Sequence, residues 1–162
     1  MVKTITKNAF SIFIVFLAYF IPAKLGFFIA LPPDNATAIW PASGIAAAAV
    51  IFFGYKTLPG VFLGSLVANL TNFTCSLDLF IDKTFNFIDI SLCIASGATI
   101  ESFTVVFIIK KLIGYPNSLS HWQDILILFI IAGMVGAIPS PTIGVTSLYF
   151  TGIIPFDNYL YN

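Results

Sequence analysis

Residues 87–111 read FIDISLCIASGATIESFTVVFIIKK: an apolar run over 87–109, closed by Lys110 and Lys111. A helix rises about 1.5 Å per residue, so this run is long enough to cross a hydrocarbon core of about 30 Å. The paired ammonium groups end it, because they stay in water while their stems lie along apolar surface. A chain organised around such a span is a membrane protein, and the rest of the sequence agrees.

The chain has 162 residues, of which 59% are hydrophobic and 9% charged. A soluble domain carries about 25% charged residues, so the apolar excess here must face lipid. Seven lysines and no arginine balance seven acids, for a net charge of zero. That balance argues against a nucleic-acid partner, since phosphate binding needs a basic surface. Cys75 and Cys93 form no C-x-x-C pair and His121 is the only histidine, which supports neither a zinc site nor any other metal. No nucleophile–base pair or phosphate-binding glycine loop is present. The expectation is a non-enzymatic protein without a cofactor.

Working outward, the first apolar run spans 9–31, follows Lys3 and Lys7, and contains Pro22. It lacks a small-residue cleavage site and reads as a retained helix rather than a signal peptide. Pro22 should kink it. Runs over 40–53 and 58–73 follow, separated by Gly54-Tyr55-Lys56. Pro41 and Pro59 suit first helical turns, where a missing N–H costs nothing, and Thr57 suits the cap before Leu58. Both runs are short for a bilayer and need burial among other helices or local thinning. The segment 74–86 is polar. The last run, 124–150, is interrupted by Pro139-Ser140-Pro141 and reads as one broken span or two short pieces. The expected architecture is all-α: a single integral membrane domain over 1–162, a bundle of five to six transmembrane spans, some short or broken.

Orientation follows from the lysines. With the N-terminus cytoplasmic, Lys3, Lys7, Lys56, Lys110 and Lys111 fall inside, five of the seven. Asp34, Asp78, Asp82 and Asp157 then fall outside with Lys83. The expected location is the plasma (inner) membrane, multi-pass.

Four features invite function. Gly60-x-x-x-Gly64-x-x-x-Ala68 puts small residues on one helix face, which allows close approach of a second helix. Packing within the bundle is the first reading, self-association the second. Glu101 lies past the middle of the 87–109 span, and an ionisable group at that depth is a functional candidate. Lys24, Ser65, Asn69 and Thr142 are its candidate partners, Lys24 by a longer reach. Trp40-Pro41 with Gly44 opens a short helix, with the tryptophan at an interface. Pro139 and Pro141 mark a helix break, and such breaks often line a cavity.

The stretch Asn35-Ala36-Thr37-Ala38-Ile39-Trp40-Pro41-Ala42-Ser43-Gly44, followed by Leu58-Pro59-Gly60-Val61-Phe62-Leu63-Gly64, resembles the first type of bacterial membrane-associated sensor domain. Gly97-Ala98-Thr99-Ile100-Glu101 and Thr142-Ile143-Gly144-Val145 resemble its later helices. The resemblance runs from about Tyr19 onward, and its W-P-x-x-G and L-P-G-x-x-x-G elements, carried by Trp40, Pro41, Gly44, Pro59, Gly60 and Gly64, are its most specific part. It implies a sensory input module that relays a signal to a cytoplasmic kinase or cyclic-di-GMP effector, as in two-component systems. The family domain has more helices than this chain, and its W-W-x-G-D stretch has no counterpart here, so an incomplete domain is expected. The resemblance implies no particular ligand. Competing expectations are a small transporter component or substrate-binding subunit, and a truncated, inactive fragment.

Overall fold

A computed structural model describes residues 2–28, 40–75, 84–114 and 121–150. The expectations placed on 32–35, 76–83, 115–117 and Asp157 lie outside the described residues. Within them the chain is helical, without a strand.

Helix α1 runs Val2–Phe28 and passes through Pro22 without ending. Helix α2 is Pro41–Phe53, with Pro41 in its first turn. It ends at Gly54, whose φ of +88° lies in a region where only glycine is unstrained. A single 3₁₀ turn, Tyr55–Thr57, leads into α3, Leu58–Cys75. Thr57 does not cap α3. Its hydroxyl donates back to the Gly54 carbonyl at 2.8 Å, closing the turn instead.

Helix α4, Thr84–Leu112, is the longest. The final span comprises α5 (Trp122–Leu126), a π-helical stretch over Ile127–Val135, and α6 (Pro139–Phe150). The helix lapses at 136–138, just before the proline pair. Pro139 and Pro141 therefore start α6, because a first turn has no intrahelical acceptor for the N–H they lack. Lys7–Phe28, Phe87–Leu112 and Trp122–Phe150 are long and apolar enough to cross a membrane, and Pro41–Phe53 is a shorter apolar helix.

The packing is that of a membrane bundle. The buried residues include Ala23, Ala42, Ala46, Ala47, Ala68 and Ala98, whereas Phe10, Phe28, Phe52, Phe129 and Phe150 are exposed. Lipid is as apolar as a large side chain, so helix association depends on close van der Waals approach, which small residues permit. Hydroxyls on the helices satisfy themselves locally: Thr99 donates to the Ala95 carbonyl at 2.7 Å and Thr104 to Ile100 at 2.8 Å.

Helix α3 lies between α1 and α4, and α2 packs on α1 and α4. A Cβ on Gly60 would meet the Ile12 carbonyl oxygen at 2.5 Å, and one on Gly64 would meet that of Phe16 at 2.9 Å. The small-residue face of α3 is thus occupied by α1. Lys56 and Lys110 meet at one end of the bundle: the Lys56 ammonium donates to Asn8 at 2.8 Å, and Lys110 sits 4.5 Å from the Tyr55 ring centroid. This is called the lysine end below.

The final span runs antiparallel to α4. Gly133 and Ala137 share a cavity with Val105 and Ile109, Ser140 and Ile143 lie against Gly97, and Gly144 faces Ile94. Contacts that progress steadily along α4 make 122–150 one broken span.

Candidate functional site

Glu101 is the only glutamate in the sequence and is 7% exposed. It lies nine residues before Lys110, about 14 Å along the helix, near the middle of a hydrocarbon core. Ser43 on α2 and Ser140 on α6 line the same cavity as its carboxyl. Each comes from a helix start set by proline, after Pro41 and Pro139. One carboxyl therefore sits where three helices meet.

A second polar group lies alongside. The Trp40 indole N–H donates to the Tyr19 hydroxyl at 3.4 Å, and Tyr19 is buried. The Asn69 amide donates to the Ser65 carbonyl at 2.8 Å and to its hydroxyl at 3.4 Å. Ser65 and Asn69 are buried, where an unsatisfied polar group is costly, and these bonds remove that cost.

Two cavities meet at Glu101. The one towards the lysine end is about 350 Å³ and is walled by Gly44, Ala47, Ile51, Val105 and Gly133. The other is about 390 Å³ and reaches Tyr19, Trp40, Asn69, Ile94, Gly144 and Leu148. Ser43, Glu101 and Ala137 border both.

Of the residues singled out in the sequence, Glu101, Asn69, Trp40 and Pro141 are brought around one cavity, while Gly44 lines the other. Lys24 lines neither, and its ammonium sits 6.0 Å from the Phe27 ring centroid. Thr142 is turned away, its hydroxyl donating to the Ile138 carbonyl at 2.7 Å. Pro59, Gly60, Gly64 and Ala68 belong to α3, where Pro59 is exposed and the other three are buried. Trp40 is half-buried. Its indole lies on Gly26, where a Cβ would approach Cζ3 to 2.9 Å, and edge-on to Phe27 at 5.2 Å between centroids.

Sequence reading missed Tyr19, Ser43 and Ser140 as site residues and Gly26 and Gly97 as packing positions. The available signal was weak: a phenol within an apolar run, and a serine beside each proline that opens a helix.

These features define the class: an all-helical membrane protein with a polar centre built around one buried carboxyl. A family model for MASE1, the membrane-associated sensor domain 1, matches residues 11–162, and the chain belongs to that family. No curated protein and no solved structure matches it.

Proposed function

We propose that this chain is a signal-input module of the inner membrane that relays a state of its polar centre to a cytoplasmic kinase or cyclic-di-GMP effector. Membership of a sensor-domain family supports the sensory role. The observation that carries the mechanism is the place of the Glu101 carboxyl, in a cavity that Ser43 of α2 and Ser140 of α6 also line. A carboxyl at this depth gains little from water, so it responds strongly to any group that enters beside it. A change there alters the packing of α2, α4 and α6 around the cavity, and helix displacement is a common way for membrane modules to pass a signal. The proposed topology has the N-terminus and the lysine end in the cytoplasm, with the chain crossing several times.

The experiment is a chimera in which this chain replaces the sensor domain of an effector-bearing family member that makes cyclic-di-GMP. Glu101→Gln should shift cellular cyclic-di-GMP at least twofold with membrane levels of the chimera unchanged. The same output from the wild-type chimera, the Gln variant and the effector without any sensor domain would sink the reading.

A further inference from the structure

Glu101 shares its cavity with the hydroxyls of Ser43 and Ser140. Among the described residues, no lysine lines either cavity. The Lys24, Lys110 and Lys111 ammonium groups lie over aromatic rings, and Lys56 bonds Asn8. A carboxylate removed from water is expensive unless a positive charge or a proton compensates it.

The cavity on the side away from the lysine end supplies what a cation needs. Among the described residues its lining has one acidic group, Glu101, and no basic one. Tyr19 and Trp40 add aromatic rings, whose negative faces attract ammonium groups. Ser43, Asn69 and Ser140 complete its polar part, and Ile94, Val145 and Leu148 form an apolar part. About 390 Å³ falls within the range of small-molecule sites, roughly 300–1,000 Å³. A single carboxylate with hydroxyl neighbours suits a monovalent cation, because a divalent ion takes six or more oxygens or several charged ligands. Apolar walls favour an organic cation over a hydrated inorganic one.

We infer that this cavity binds a small amphipathic organic cation, with its ammonium group against Glu101 and the rings of Tyr19 and Trp40, and its apolar tail against Ile94, Val145 and Leu148. The inference deepens the sensory reading, since it names the ligand class of the same site. Binding is measured directly, so it succeeds or fails independently of cyclic-di-GMP output.

The test uses the whole chain in dodecyl maltoside, a detergent without an ammonium group. The sequence has two tryptophans, so Trp122→Phe leaves Trp40 as the reporter. Butyltrimethylammonium should change Trp40 emission saturably, and its uncharged tert-butyl analogue should not. Glu101→Gln should weaken binding at least tenfold. Gly144→Leu fills this cavity while keeping the Glu101 side chain, and should also weaken it at least tenfold, which keeps the test decisive if the Gln variant does not fold. Ala48→Leu, in the other cavity, should leave binding within twofold of the parent. No response to the cation, an equal response to the uncharged analogue, full binding by folded Glu101→Gln, or loss only in Ala48→Leu would each overturn the inference.

Discussion

Gly60 and Ile12 meet backbone to backbone: a Cβ on Gly60 would stand 2.5 Å from the Ile12 carbonyl oxygen. Real Cβ atoms do not sit that close to an oxygen, so even alanine must push α1 and α3 apart.

A graded series of glycine substitutions follows. Gly60→Ala should destabilise most, by about 1–3 kcal/mol as overpacking does. Gly64→Ala comes next, since its Cβ would lie 2.9 Å from the Phe16 oxygen. Gly97→Ala is milder at 3.3 Å from Ile143 and Ser140, and Gly144→Ala meets only Ile94 at 3.9 Å. The last should be neutral or slightly stabilising, because alanine favours helix over glycine by up to about 1 kcal/mol. Thermal midpoints in detergent check the order, and equal midpoints for the Gly60 and Gly144 variants would refute it.

Gly26→Leu should expel the Trp40 indole from its seat, since alanine's Cβ alone would already reach 2.9 Å from Cζ3. In a Trp122→Phe background, Trp40 emission should move to longer wavelength and the bond to Tyr19 should be lost. Emission unchanged in maximum and intensity would show that the ring has another resting place.

Glu101→Leu should insert normally and lose signalling in the chimera, and it should not lower the thermal midpoint. It removes a carboxyl from mid-membrane, where a charge costs about 2.5–3.5 kcal/mol on insertion scales. The hydroxyls of Ser43 and Ser140 beside it can turn to backbone carbonyls of their own helices, as Thr99 and Thr104 already do. A midpoint lowered as far as that of Gly60→Ala would make Glu101 a structural tie instead.

Lysine-end residues should be cytoplasmic. In a chain with Cys75 and Cys93 replaced, Lys56→Cys should react with a membrane-impermeant maleimide only after the cells are opened, and Lys83→Cys in intact cells. The opposite pattern would invert the topology.

Much of the architecture was legible in the residues themselves. Apolar runs mark helices because an unsatisfied backbone cannot sit in lipid, and the paired lysines mark an end because ammonium groups stay in water. Glu101 drew notice for the same reason, as an ionisable group where water is scarce. The Gly60–Gly64 spacing marked a helix face for close approach, because residues four apart stack on one side.

The sequence by itself thus determined that the chain is helical, where its apolar spans run, and that Glu101 lies deep within one of them. Only the tertiary structure decided the company Glu101 keeps. Ser43 and Ser140 lie on other helices, and many serines within apolar runs would have looked equally eligible. Nor could the sequence show that Trp40 turns inward onto Gly26 and Tyr19 while Lys24 turns to Phe27. Helix periodicity sets which residues share a face of one helix. Which faces meet is set by how closely the backbones can approach, and that depends on all the helices packed at once.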